Sequence, residues 1–159
     1  MAISRKLQEY LSKQDISFQT VSHFYSNSSI GSAVATSIPP KNIAKAVLLV
    51  DHDGHRLMVV LPADQKISML SINEKLNARF ELLKENDVFD LFMDCAQGAV
   101  PPVGDAFNMS MVCDDSLDLL DNVYIEAGDH ETLLRLTHKD FENIMSSSKH
   151  LKICKKTIH

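Results

Sequence analysis

Few features of this sequence point to secretion or to a membrane. The three cysteines, Cys95, Cys113 and Cys154, are an odd number without paired spacing, a pattern typical of reduced thiols in a cytosol. The apolar runs have the length of strands and fall far short of a membrane span. The opening residues, MAISRKLQEYLSKQ, carry charges where a signal peptide needs an apolar core. These absences predict a cytoplasmic protein without a membrane partner.

Familiar catalytic signatures are missing as well. The chain has no Gly-x-Ser-x-Gly, Walker loop, dinucleotide fingerprint or His-Glu-x-x-His motif, so the residues show no familiar triad, nucleotide site or zinc site. His52 and His55 flank Asp53-Gly54, but a metal site needs three or four ligands. We therefore expect polar residues at a hairpin tip here, and no metal or cofactor.

Positive charge is scarce outside the C-terminal segment. The chain has 159 residues and a net charge of −5, and residues 149–159 hold four lysines and no acid, which leaves −9 on the rest. This negative charge argues against a broad nucleic-acid-binding surface. A local basic groove or tail is the alternative place for nucleic acid to bind. The length and the 45% apolar content favour one globular domain. We assign residues 1–148 to it and residues 149–159 to a basic tail.

Residues 114–121, DDSLDLLD, concentrate four aspartates. The segment lacks the glycine and the distal glutamate of an EF-hand loop. A solvated, capped turn is favoured over a calcium site.

Apolar periodicity indicates more strands than helices. Helices are predicted near residues 3–11, 28–38, 68–76 and 85–94 and from about residue 137, and strands within 16–23, 44–51, 55–62, 108–114, 122–128 and 131–137. Asp53-Gly54 is a strong hairpin signal between two of these strands, and Ser71 and Glu74 have capping-box spacing. The pattern favours an α/β class of the α+β kind, with a mixed sheet surrounded by helices.

Lys45 stands early in the most apolar strand, within NIAKAVLLVD. In a central strand its ammonium would be partly desolvated, which is costly without a carboxylate, carbonyls or a bound anion. The alternative is that Lys45 lies at the frayed start of the strand and extends to water.

Residues 98–104, GAVPPVG, hold two glycines and two prolines, so they form a shaped loop. A stiff loop with exposed amides can bind an oxyanion or a carbonyl. A purely structural turn is the alternative.

Gly128 separates two predicted strands and leaves Asp129 and His130 at their junction. A titratable group at such a junction can enter a cleft. An exposed hairpin turn is the commoner outcome.

Together these stretches resemble the YbaK/ProX family of aminoacyl-tRNA deacylases, relatives of the editing insertion of bacterial prolyl-tRNA synthetases. The similarity runs from ISFQTVSH to the last helix and includes IAKAVLLV, GAVPPVG, MSMVCDD and VYIEAGDHETL in order. The resemblance implies a barrel-like, curled sheet with flanking helices. It also implies hydrolysis of the ester that joins a wrong amino acid to the 3′ end of tRNA, with an aminoacyl-tRNA synthetase as a further candidate partner.

By this resemblance, Lys45 matches the functional lysine of the family, Gly98 and Pro102 match its Gly-x-x-x-Pro loop, and His130 is similar to a histidine of alanyl-directed members. The implied catalytic residues are Lys45, Gly98 and His130, and the implied substrate-binding residues are Ala99, Val100, Pro101, Pro102, Gly104, Gly128 and Asp129. Where this chain has Ala46, many members have a hydroxyl residue, and where it has Pro101, many have a serine. These departures bear on which amino acid is removed. Because His130 is similar to the histidine of alanyl-directed members, alanine is the first candidate, and cysteine or serine is next.

Two other functions fit the same residues. One is a non-catalytic module that holds an aminoacyl-tRNA end or a protein, and the other is a hydrolase of other small acyl esters.

Overall fold

The computed structural model describes residues 3–26, 28–96 and 98–155. The helices in these ranges are α1 (Arg5–Lys13), α2 (Ser29–Thr36), α3 (Met69–Leu76), α4 (Glu85–Leu91) and α5 (His138–Ile144). The strands are β1 (Gln19–Ser22), β2 (Ile43–Val50), β3 (Arg56–Pro62), β4 (Lys66–Ile67), β5 (Glu81–Leu82), β6 (Ser110–Asp114), β7 (Asn122–Glu126), β8 (Thr132–Thr137), β9 (Lys149–Leu151) and β10 (Cys154–Lys155). Every helix and strand predicted from periodicity is present, and β4, β5, β9 and β10 are additional short strands.

The main sheet has eight strands and mixed direction. Its order is β1-β8-β7-β2-β3-β6-β9, with β5 also paired to β2. The β2–β7, β3–β6 and β6–β9 pairs are parallel and the others antiparallel. This confirms the predicted mixed sheet with helices; its path ends at β1 and β9, so the sheet is open.

The predicted hairpin joins β2 and β3, which pair antiparallel from Ala44–Pro62 to Val50–Arg56. At its tip the Asp51 carboxylate accepts hydrogen bonds from the backbone N–H groups of Asp53 and His55, and Gly54 has a φ of +85°. The turn is therefore closed by a short polar side chain and a residue that tolerates positive φ.

The start of α3 differs from the expectation. Ser68, rather than Ser71, is the N-cap, and its hydroxyl accepts the backbone N–H of Ser71 at 3.2 Å. Met69 packs against the apolar cluster on that side of the sheet, so the helix begins at Met69 and the predicted capping box at Ser71 and Glu74 is wrong.

Strand β2 is packed on both faces, as its apolar sequence predicts. Ala44 and Leu48 belong to the main core, which also contains Leu7 and Leu11 of α1. Leu49 belongs to the cluster under α3. Because side chains alternate along a strand, Lys45 points to the same face as Leu49.

The C-terminal segment is partly integrated into the sheets. Strand β9 pairs with β6 and β10 pairs with β4, and Ile153 between them is fully buried. Residues 149–155 of the basic segment therefore pack against the domain, and residues 156–159 lie outside the described residues.

The aspartate-rich segment is a capped turn, as predicted. It forms a 3-10 turn from Asp115 to Leu119, and the carboxylate of Asp114 accepts the backbone N–H of Ser116. The longest helix described, α1, has nine residues, and none of the described helices could cross a bilayer.

Candidate active site

Lys45 combines a polar partner with access to solvent. It is half-buried on β2, and its Nζ donates a hydrogen bond to the carbonyl oxygen of Ala63 at 3.2 Å. Burial lowers the pKa of Lys45, and the nearby Cys154 and Asp64 oppose that shift only in part. The ammonium is thus held in place by a backbone dipole and partly stripped of water, which leaves N–H donors for a ligand.

A cavity of about 450 Å³ opens beside this lysine. It lies along the part of β2 between the residues paired with β7, Ile43 and Ala44, and those paired with β5, Leu49 and Val50. Residues 45–48 form one wall, and residues 28–30, at the start of α2, line it too. The break in pairing creates the room for a ligand at the most apolar strand.

The start of the 98–104 loop forms another part of the wall. Gly98 and Val100 line the cavity together with Lys45. Gly98 has a φ of +80°, a backbone conformation that side chains rarely allow. Ala99 is buried and donates its N–H to the carbonyl of Ala96 at 3.0 Å, which fixes the loop between its two lining residues.

The rest of that loop turns into the core. Pro101 and Pro102 are buried and do not line this cavity. A Cβ at Gly104 would lie 2.4 Å from Cγ of Met111 and 2.5 Å from the carbonyl oxygen of Met109. Gly104 is therefore required for close packing.

Asp129 closes the turn between β7 and β8. It is buried, and its carboxylate accepts the backbone N–H groups of Glu131 and Thr132, both at 2.9 Å, and the Thr132 hydroxyl at 3.0 Å. These bonds occupy the side chain within the turn itself.

Gly128 and His130 lie in the same turn and do not line the Lys45 cavity. Gly128 has a φ of +110°, and a Cβ there would come within 3.1 Å of Ser4. His130 is fully buried with a φ of +60°. Its ring packs against the ring of Tyr25 in a T-shaped arrangement, with ring centroids 5.5 Å apart.

The structure thus brings together Lys45, Gly98 and Val100 among the residues predicted for the site. Ala99, Pro101, Pro102, Gly104, Gly128, Asp129 and His130 lie outside the cavity lining. Sequence reasoning did not single out Leu83 and Val88, which also line it. Their segments carry only ordinary helix and strand patterns, and only the pairing of β5 with β2 brings them to the site.

The cysteines are poor nucleophiles here. Burial raises the pKa of Cys95 to about 12, and burial likewise raises the pKa of Cys113 and of Cys154. The reactive thiolate form is therefore scarce at neutral pH.

Within residues 3–26, 28–96 and 98–155, two groups of side chains have ligand atoms close enough together to hold a metal: Cys113, Asp118 and His150, and Asp51, Asp53 and His55. In the first, His150 is bonded at Nδ1 to Asp118 at 2.7 Å and at Nε2 to the carbonyl of Met145 at 3.0 Å. In the second, His55 is bonded to Asp51 at 3.0 Å. Each histidine is thus hydrogen-bonded to a carboxylate of its own group.

Comparisons with known proteins agree with the resemblance. One crystal structure, of a hypothetical protein, has a TM-score of 0.83 at 21% identity over 95% of this chain and 100% of the other. Another, described as "a putative trans-editing enzyme for prolyl tRNA synthetase", has a TM-score of 0.82 at 18% identity over 96% of each chain. At such identities the likeness shows the fold. No curated protein matches the chain by sequence.

The family assignment comes from the sequence. The aminoacyl-tRNA editing domain model matches residues 28–144, which include β2, the 98–104 loop and the β7–β8 turn. This chain belongs to the family of aminoacyl-tRNA editing domains.

Proposed function

We propose that this protein hydrolyses the ester that joins a wrongly attached amino acid to the 3′ end of tRNA. The observation that carries the proposal is the meeting of Lys45 with Gly98 and Val100 across one cavity. A cation and a shaped backbone are what an ester needs for positioning and for polarisation of its carbonyl.

Lys45 anchors the 3′ end in this proposal. A compact ammonium binds a terminal phosphate or a carbonyl oxygen. Its bond to Ala63 fixes the direction of Nζ, so little side-chain entropy remains to be lost on binding. The Gly98–Val100 backbone orients the ester, since a residue with positive φ allows the chain to approach the substrate closely.

Water is the nucleophile. It adds to the ester carbonyl, the bond to the ribose oxygen breaks, and that oxygen leaves with a proton as the free hydroxyl of the tRNA. An adjacent ribose hydroxyl of the substrate orients the water and relays a proton from it to the leaving oxygen, and the free amino acid is released. Ser28 lines the cavity, but its hydroxyl already accepts the N–H of Gly31 at 3.0 Å, and this cap bond makes it a poor alternative nucleophile.

A small amino acid suits the site, with alanine first and cysteine or serine next. Binding alone separates side chains that differ by one methylene by about 1–3 kcal/mol, so a second hydrolytic site improves the fidelity of charging. His130 shapes the region through its contact with Tyr25, as a positioning residue. The protein acts in the cytoplasm, and an aminoacyl-tRNA synthetase is its candidate partner.

The test is a panel of purified tRNAs, each mischarged with a radiolabelled amino acid, followed with and without the protein. Accelerated release of alanine, cysteine or serine supports the proposal. Release no faster than in buffer, with retained tRNA binding, would identify a non-catalytic module. Equal activity on an acylated nucleoside without tRNA would identify a hydrolase of simple acyl esters.

A further inference from the structure

Two exposed aromatic side chains line a second cavity next to the first. Tyr25 is 65% exposed and Phe89 is 64% exposed, and both line a cavity of about 760 Å³. This cavity shares Val88, Gly98 and Val100 with the Lys45 cavity. The two cavities therefore adjoin, and a ligand large enough to fill both would contact Lys45 and the two rings.

Neither ring is part of the hydrophobic core clusters. None of the residues of α4, which carries Phe89, is buried. Tyr25 lies in the connection between β1 and α2, and its described ring contact is with His130. Apolar rings left this open beside a binding site are typical of surfaces that bind a ligand.

The polar groups of the second cavity suit an uncharged base. Asn86 and Glu85 line it with the two rings. An asparagine amide matches the edge of adenine, and a carboxylate accepts from an exocyclic amine. Asp87 and Asp90 are also exposed on this part of the chain, so the sign of charge around α4 repels phosphate.

We infer that Tyr25 and Phe89 form the binding site for the terminal nucleobase of the tRNA, by stacking, while the aminoacyl group occupies the Lys45 cavity. The inference rests on the proposed function and adds the base-binding residues to it. Aromatic stacking is how proteins hold unpaired nucleotides. The acids on α4 direct the sugar-phosphate chain away from this helix, toward Lys45.

The experiment compares Tyr25→Leu and Phe89→Leu with Phe24→Leu. Phe24 is 89% exposed and lines neither cavity, so it is a matched control on the same connection as Tyr25. Binding of short oligoribonucleotides that end in adenosine, uridine or an abasic residue is measured by fluorescence anisotropy. The KM and kcat for deacylation of a mischarged tRNA are measured in parallel.

The expected result is that each leucine variant at Tyr25 or Phe89 weakens binding of the adenosine-ending oligonucleotide about fivefold or more, the loss typical of one base stack. KM rises by a similar factor and kcat changes less. Tyr25→Phe and Phe89→Tyr keep wild-type binding, because they keep an aromatic face.

Equal binding by the two leucine variants and Phe24→Leu would overturn the inference, as would equal binding of the abasic oligonucleotide by the wild type. The exposed rings would then be assigned to a protein partner. If the wild type binds adenosine ends through both rings but releases no amino acid, only the proposed hydrolysis fails. If it deacylates with unchanged KM in both variants, only the base site fails.

Discussion

Ser32 donates a 2.9 Å hydrogen bond to Oε1 of Glu126 in the protein interior, where each residue is at most 1% exposed. The bond joins α2 to the end of β7. Oε2 of Glu126 is buried without a hydrogen-bond partner among the described residues. Burial raises the pKa of Glu126 to about 7, with Asp129 adding to the rise and Ser32 opposing it. A carboxyl group next to the start of α2 therefore titrates near physiological pH.

This carboxyl group makes stability depend on pH. Its folded-state pKa is above its unfolded value, so its contribution is fully present below about pH 4.5 and is lost as the pH rises to about 7. Glu126→Gln removes the titration, and at about pH 8 the variant is expected to exceed the wild type in stability by up to about 3 kcal/mol. Guanidinium unfolding of both proteins at about pH 5 and about pH 8 measures the difference. If the difference in free energy of unfolding between the two proteins is the same at both pH values, Glu126 does not titrate in this range and the prediction is wrong.

Gly104 is expected to serve packing rather than substrate binding. Gly104→Ala places a methyl group against Met111 and the Met109 backbone, which is expected to lower the free energy of unfolding by about 1–3 kcal/mol. Deacylation per folded molecule stays near normal. Gly98→Ala is the matched comparison, because Gly98 lines the Lys45 cavity and its substitution is expected to reduce activity. Loss of deacylation in Gly104→Ala with an unchanged free energy of unfolding would contradict this and would indicate that Gly104 contacts the substrate.

The basic C-terminal segment is expected to bind tRNA phosphates. Truncation after Ser148 would remove β9, β10 and the buried Ile153, so substitution is the cleaner test. Replacing the exposed Lys149, Lys152 and Lys155 with glutamine should reduce the slope of log affinity against log salt by about 0.7–0.9 for each phosphate that a lysine no longer neutralises. Filter binding over a range of salt concentrations measures the slope. The same slope in the triple variant would show that these three lysines do not contact tRNA phosphates.

Much of the fold could be predicted because its signals are local. The apolar runs of β2 and β3 on either side of Asp53-Gly54 specified a hairpin. Thr137 was placed at the start of the last helix, where its hydroxyl accepts the N–H of Asp140. Cap choice at α3 was wrong, because Ser68 and Ser71 are both good caps and tertiary packing of Met69 decides between them.

The candidate site could be predicted only in part. The resemblance to the deacylase family, which rests on the order of motifs along the chain, implied Lys45 and the loop at Gly98, and both line one cavity. His130 was grouped with them because it resembles a histidine of alanyl-directed members, and Asp129 because it lies beside it after Gly128. A local signal for Asp129 was present, since an aspartate before a strand commonly binds the next backbone N–H groups. The contact between Lys45 and the Ala63 carbonyl could not be predicted, because it depends on the register of β2 against β3, which a single sequence does not reveal.

The most direct measurement is single-turnover deacylation of a mischarged tRNA by Lys45→Met, with thermal melting of the same preparation. Methionine keeps much of the stem and removes the charge, and the partner left behind is the Ala63 carbonyl, next to a cavity that water can enter. We expect a melting temperature equal to or above that of the wild type and loss of most activity, as for a site held at some cost to stability. A lower melting temperature with near-normal deacylation would contradict the account and make Lys45 a structural residue.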